Sequence, residues 1–472
     1  MKDYTVIKNF EKISKIPRCS KKEKQISDYL KAWAIDRNLK VIQDEYLNIL
    51  IYKGASEGME EKPIVILQGH MDMVCEKNKG TVHDFDKDPI ELVYKGDQLY
   101  ANQTTLGADN GIAVAMMMSI LEDDSLVHPP LEIVITSDEE SGMTGAANVD
   151  PSLLKGKMMI NLDSEDEGVL TAGCAGGGRV VYSKSLICEE KTMTQKMTLS
   201  VKGLKGGHSG VEIHLDRGNG IKILGRVLNE ILEYIEVSSI EGGSADNAIP
   251  REAYVDFYTN EPEIIKEKIN TLQDLLSKEY AFTDAGITLL LNDEESQEDK
   301  VISKKQIHEL LDLLMLVPYG PLKQNPEIAL VILSNNPGVL KIQQGSLKLI
   351  CAPRSSIQSA LDYLMKMMER IGMLTNFQVE KKGFYPGWEF AKESYLRTLC
   401  NQVYEKKYYQ PLVIEAIHAG LECGFFASKI PGLDAVSIGP SMEDIHTPNE
   451  NINLPSVKRT YEYLIDVLAA IE

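Results

Sequence analysis

Four short apolar runs constrain most strongly what this chain can fold into: Pro63–Gln68, Leu131–Thr136, Lys157–Leu162 and Leu433–Ile438. Each is shorter than an ordinary helix and more continuously apolar than a strand with one face in water. Such runs fit strands buried on both faces, which requires helices on either side of a largely parallel sheet. Apolar residues at helical spacing in Tyr4–Ser14, Lys22–Arg37 and Gly111–Leu121 supply those helices. The expected fold class is α/β, a mixed, largely parallel sheet flanked by helices.

At 472 residues the chain is too long for one ordinary core. From about Gly176 the strands alternate apolar and polar residues, as in Lys196–Val201 and Ala253–Tyr258. Helices at Gly218–Tyr234 and Glu263–Glu279 complete an α+β pattern, and a similar pattern recurs from Val301 to about Val379 with helices near Lys304–Leu316 and Ser355–Ile371. The α/β rhythm returns after Lys382-Gly-Phe-Tyr-Pro-Gly. We therefore expect a discontinuous α/β domain, residues 1–175 and 386–472, with an inserted α+β lid, residues 176–385, built of two similar halves. Gly176-Gly-Gly is the expected hinge and Lys382–Gly387 the return linker.

The net charge of -20 argues against nucleic acid or an anionic membrane as partner, since both select basic surfaces. Apolar runs such as Ile112–Met118 and Ile328–Leu333 fall far short of the roughly 20 residues of a membrane span. The start, Met1-Lys-Asp-Tyr-Thr-Val-Ile-Lys, has no apolar segment of the secretory type, so the expected location is the cytoplasm. The seven cysteines include no C-x-x-C pair, which predicts free buried thiols in a reducing compartment.

The chemistry-bearing residues gather where the strands end. Pro63–Gln68 runs into Gly69-His70-Met71-Asp72, and Leu131–Thr136 into Ser137-Asp138-Glu139-Glu140-Ser141-Gly142. Lys157–Leu162 runs into Asp163, Leu433–Ile438 leads to His446, and Leu99–Asn102 leads to Gly107-Ala-Asp109-Asn110-Gly111 before a helix. Singly, each has an ordinary explanation: Asp109 could be a helix N-cap and His70 a packed histidine. Together they place metal-ligating side chains at the ligand-binding end of one sheet.

H-M-D, G-A-D-N-G, D-E-E-S-G, N-L-D and I-H-T-P resemble the motifs of cocatalytic zinc exopeptidases of the aminoacylase and carboxypeptidase-G type. Two longer strings, Lys205–Asn219 around His208 and Ala416–Gly424 around His418 and Glu422, are similar to those of the aminoacyl-histidine dipeptidases, the Xaa-His or bacterial carnosinase-like group. The resemblance implies two divalent metal ions, zinc with manganese or cobalt as alternatives. His70, Asp109 and Asp163 would hold one ion; Glu140, His446 and the shared Asp109 would hold the other. It makes Glu139 the general base and acid for a water between the ions, Asp72 the partner that orients His70, and His208 the donor to the oxyanion. Asn247, Arg354, His418 and Glu422 would grip the substrate, with Glu422 at its free amine, and domain closure would assemble the site. A cis peptide between Asp109 and Asn110 is implied as well.

The implied partner is a small peptide, Xaa-His dipeptides of the β-alanyl-histidine kind favoured, with the assembly either monomer or homodimer. A broader dipeptidase, a tripeptidase or an aminoacylase would use the same metal residues, and a catalytically idle peptide-binding scaffold is the alternative from another class.

Overall fold

The computed structural model describes residues 4–294, 300–326 and 330–472; the start of the apolar run Ile328–Leu333 and the first residues of the chain lie outside them. Two compact units form. One comprises Met1–Gly173, Trp388–Ala416 and Leu421–Glu472; the other comprises Cys174–Gly387 and Ile417–Gly420.

The first unit is built on an eight-stranded sheet in the order Lys40–Gln43, Ile49–Lys53, Leu131–Thr136, Val65–His70, Met158–Asn161, Asp434–Ser437, Val169–Cys174, Val413–Ile417. The third to sixth strands of that order are parallel, with Val65 opposite both Leu131 and Met158, and Ser437 opposite Asn161. This register brings the carboxyl ends of the four strands side by side. Helix Ala108–Glu122, apolar on every face, is buried from Ala108 to Leu121, as a helix inside an α/β layer must be. A second, four-stranded sheet joins Met442–Glu443, Asn451–Asn453, Gln98–Ala101 and Leu92–Lys95. It ties the segment around His446 to the strand that leads toward Asp109, with Asn451 opposite Tyr100.

The second unit carries an antiparallel sheet in the order Thr288–Glu294, Gln195–Lys202, Ala253–Thr259, Glu236–Gly242, Leu330–Gln343, Ser346–Ser355, Gly176–Ser185, Gln378–Tyr385, with Gly320–Asn325 beside Leu330–Gln343. Helices Gly220–Ile231, Pro262–Glu279, Lys304–Leu316 and Gln358–Leu374 bury their apolar stripes in the core of this unit. Two strand–helix–strand–strand–helix–strand stretches can be traced in it, and they are nested rather than consecutive. Gly176–Ser185, the first strand of the later stretch, precedes the whole of the earlier one. Pattern alone missed this because that strand and its helix, Lys304–Leu316, are separated by more than a hundred residues.

Two sequence expectations need correction. Gly176-Gly-Gly and Lys382–Tyr385 lie within strands rather than in connecting loops, with Gly176 opposite Ser355, Gly177 opposite Tyr385 and a register shift between Lys382 and Tyr385. A Cβ on Gly176 would lie 2.3 Å from the Gly387 nitrogen, so the glycine permits close backbone packing. The cysteines are also not all free: Cys19 and Cys75 are disulfide-bonded, and Cys188 is exposed. Spacing rules see only neighbours in sequence, whereas here a parallel bridge between Cys19 and Met73 aligns distant segments. Among the described residues, no helix is long and apolar enough to cross a membrane.

Candidate metal centre and active site

The parallel register places His70, the last residue of its strand, beside the loops that follow Thr136 and Asn161. His70 Nε2 lies 3.1 Å from Asp109 Oδ1 and 3.3 Å from Asp163 Oδ1. His446 Nε2 lies 3.1 Å from Asp109 Oδ2 and 2.9 Å from Glu140 Oε2. The two oxygens of Asp109 thus face two different imidazoles. One donor atom each from His70, Asp109 and Glu140 falls within 4.8 Å of the others, so both groups of donors belong to one compact cluster. The peptide between Asp109 and Asn110 is cis. Asn110 turns its side chain inward, accepting from the His70 N–H and donating to the Leu162 carbonyl.

Asp72 serves both flanks of the cluster. Its carboxylate lies 3.3 Å from His70 Nδ1 and accepts from the Glu139 and Glu140 N–H groups and from Ser20 Oγ. An imidazole tied at Nδ1 presents Nε2 to a ligand, the usual arrangement for a metal-binding histidine. The backbone bonds fix the turn from which the Glu139 and Glu140 side chains emerge in different directions.

The cluster carries more negative charge than its own side chains neutralise. Burial foremost, then Asp163, Glu422 and Glu140, push the Glu139 carboxyl well above the usual carboxylate range, with His70 opposing. Burial, with Asp109 and Glu140 adding to it, raises Asp163 to about 6. Burial raises Glu422 to about 8, aided by Asp163 and Asp72. His446 is held up to about 11 by its hydrogen bonds to Asp109 and Glu140. Crowded carboxylates around two imidazoles, all nitrogen and oxygen donors, are what divalent ions such as zinc, manganese or cobalt select. The residues present therefore fit a pair of such ions.

Glu422, expected at the substrate's amine, is fully buried in the first unit. Its Oε2 accepts from Gln68 Nε2 and Thr136 Oγ1, and Oε1 has no hydrogen-bond partner among the described residues. Gln68 in turn accepts from Asn161, which accepts from Ser437. Two further groups escaped the sequence reading altogether. Arg18 and Glu450 are buried charges beside the Asp109 loop. Arg18 belongs to no recognisable motif; Glu450 offered one signal, a carboxylate four residues beyond His446.

The other expected site residues lie in the second unit. His208 Nδ1 accepts from the N–H groups of Gly210 and Val211, which leaves the ring hydrogen on Nε2. Burial, then Arg354, lowers the His208 pKa, so this imidazole is a neutral donor. His208 and the exposed Asn247 border a cavity of about 680 Å³. Arg354 pairs across strands with Ser334 and Gly177, and its Nη1 donates to Tyr385 Oη at 2.9 Å. Its Nε has no partner among the described residues. His418 Nε2 lies 2.7 Å from Ser334 Oγ.

His418 makes a testable contribution to acid stability. Burial, with Arg354 adding to it, lowers its pKa to about 3, against about 6.5 in an unfolded chain. A base with a depressed folded pKa takes up its proton only on unfolding. Stability is then complete above about pH 6.5 and falls as the pH drops toward about 3. Lowering the pH from 7 to 5 should cost about 2 kcal/mol through this group. Chemical denaturation of wild type and His418→Gln at both pH values checks it; the same acid loss in both would count against the assignment.

The profile of Peptidase family M20/M25/M40 matches residues 66–470. The chain is 38% identical over 471 residues to the cytosol non-specific dipeptidase of Escherichia coli (strain K12), covering 98% of this chain and 96% of that protein. The crystal structure of aminoacylhistidine dipeptidase from Vibrio alginolyticus is similar with a TM-score of 0.92 and 35% identity, over 99% of this chain and 96% of that one. Aminopeptidase PepT from Bacillus cereus, at 16% identity and a TM-score of 0.57 over 99% and 98% of the two chains, shares the fold. With the profile spanning most of the chain and the Escherichia coli relative matching nearly all of it, this chain belongs to peptidase family M20/M25/M40 and is a hydrolase of peptide bonds.

Proposed function

We propose that the protein is a cytoplasmic di-metal dipeptidase that cleaves short peptides with a free amino terminus, Xaa-His dipeptides such as β-alanyl-histidine among them. The reading rests on one observation above all: Asp109 offers one oxygen toward His70 and the other toward His446, as a carboxylate shared by two ions would. His70, Asp109 and Asp163 would hold one ion; Glu140, His446 and Asp109 the other. Zinc suits this donor set, and manganese or cobalt could take its place. Such ions would supply Lewis acidity at the scissile carbonyl and ease deprotonation of water.

The chain's own groups do the rest. Glu139 takes the proton of the attacking water and returns it to the leaving amine, and its raised pKa matches that exchange. His208 donates Nε2–H to the developing oxyanion as a neutral imidazole. Arg354 offers a planar guanidinium, with Nε unengaged, to the substrate's terminal carboxylate, and Asn247 hydrogen-bonds its backbone.

A broader specificity is the second reading, favoured by the Escherichia coli relative, whose name calls it non-specific. A panel of β-alanyl-histidine, other Xaa-His and Xaa-Xaa dipeptides, a tripeptide and an N-acetylated amino acid separates the readings. Hydrolysis largely confined to Xaa-His supports the first, and comparable kcat/KM across dipeptides supports the second. Hydrolysis of the N-acetylated compound alone would move the assignment to an aminoacylase. No turnover of any, in protein that holds two ions per chain, would sink the dipeptidase reading.

A further inference from the structure

The loop that presents Asp109 is itself held by two buried charges that no motif marked. Glu450 is 2% exposed, yet it is satisfied on both oxygens. Oε2 accepts from the N–H groups of Leu106 and Gly107 at 2.8 and 2.9 Å, and Oε1 from those of Ala108 and Asp109 at 2.8 and 3.3 Å. These are four successive peptide N–H groups leading into helix Ala108–Glu122, where Gly107 is left-handed and Asp109 and Asn110 are not helical, so they converge on the carboxylate as a backbone anion-binding concavity. Glu450 also lies four residues past His446 and next to Asn451, which pairs with Tyr100. One carboxylate thus joins the segment carrying the shared ligand to the segment carrying the second imidazole.

The same loop is also held by Arg18, again 2% exposed. Its guanidinium donates to the carbonyls of Met71, Asp72 and Gly107. The glycines of G-A-D-N-G make room for it. Gly107 has φ +69°, and a Cβ there would lie 2.5 Å from Arg18 Nη2; on Gly111 the distance would be 2.6 Å. Arg18 is therefore a buried cation among the carboxylates Glu450, Asp72, Asp109 and Glu140, and bonds the backbone on both sides of His70's partner Asp72. Its Nη1 and Nη2 are bonded and its Nε has no partner among the described residues; a buried charge stripped of such bonds is costly.

We propose that Glu450 and Arg18 are positioning residues for the metal pair: Glu450 seats the N–H groups of Leu106 to Asp109 and Arg18 ties the Gly107 carbonyl to those of Met71 and Asp72, so that the shared carboxylate is in place before metal arrives. This rests on the di-metal reading and adds residues that touch neither ion nor substrate. Glu450→Gln is a sharp probe because the amide keeps the size of the side chain but turns an N–H₂ group toward two backbone donors.

The test compares metal uptake by chelator-treated wild type, Glu450→Gln, Arg18→Met and Leu30→Ala. The last removes core volume in the same unit, away from the metal residues, and should lower the unfolding temperature of metal-free protein without changing the site. Wild type should bind two zinc ions per chain. Glu450→Gln and Arg18→Met should bind them 10- to 100-fold more weakly, the range for partners behind metal ligands. In both variants kcat should fall more than KM rises, and Leu30→Ala should keep wild-type affinity. Wild-type affinity in Glu450→Gln, or an affinity loss in Leu30→Ala that tracks its loss of stability, would overturn this inference alone. Wild type that takes up no ion would overturn the metal-pair reading and this inference with it.

Discussion

Glu139→Gln is expected to lower kcat on β-alanyl-histidine by 10²- to 10⁴-fold, the range that general acid–base groups contribute, while metal content stays at the wild-type level. The separation of the two effects follows from the geometry. Glu139 is anchored through its backbone N–H on Asp72, so the turn survives a change at the end of the side chain. Its carboxyl makes none of the close contacts to His70 or His446 that Asp109, Asp163 and Glu140 make. Burial and the neighbouring carboxylates raise its pKa, which suits a group that must take a proton and give it back. An amide in its place can do neither. Steady-state kinetics with metal analysis on the same preparation checks this; loss of metal in parallel with activity would reassign Glu139 as a ligand.

Asp109→Ala should do more damage by a different route. Each Asp109 oxygen serves a different imidazole, so removing the side chain strips a donor from both halves of the cluster. Losing the Lewis acidity of the ions removes several kcal/mol of transition-state stabilisation, on the order of 10³-fold or more in kcat/KM. Metal uptake should fall from two ions per chain to one or none. By contrast Asp72→Asn, which alters only the orientation of His70 and of the Glu139–Glu140 turn, should cost about 10- to 100-fold in metal affinity. An Asp109→Ala variant that still binds two ions tightly would rule out the shared-carboxylate arrangement.

Much of the candidate site was legible because its candidate ligands follow the ends of apolar strands. The run Leu131–Thr136 could be read as a strand from composition, and a strand fixes where the next residues emerge. Parallel neighbours then bring His70, Glu140 and Asp163 to one edge without further information. Glu450 and Arg18 were invisible for the opposite reason. Their partners are backbone N–H and carbonyl groups more than fifty residues away, and backbone groups carry no sequence signal. Glu422 was legible as part of a string but not in its surroundings. Only the packed sheet shows its carboxylate enclosed with Gln68 and Thr136. The cysteines failed in the same way, since the Cys19–Cys75 bond depends on two segments lying side by side.

The amino-acid pattern by itself determined the α/β layer, the α+β character of the second unit and the kind of chemistry at the strand ends, since period and residue type are local properties. Tertiary structure alone decided the nesting of the two strand–helix stretches, the pairing of each Asp109 oxygen with its own imidazole and the seat of Glu450 on four peptide N–H groups. Those are set by which distant backbones pack together, and packing depends on the whole chain at once.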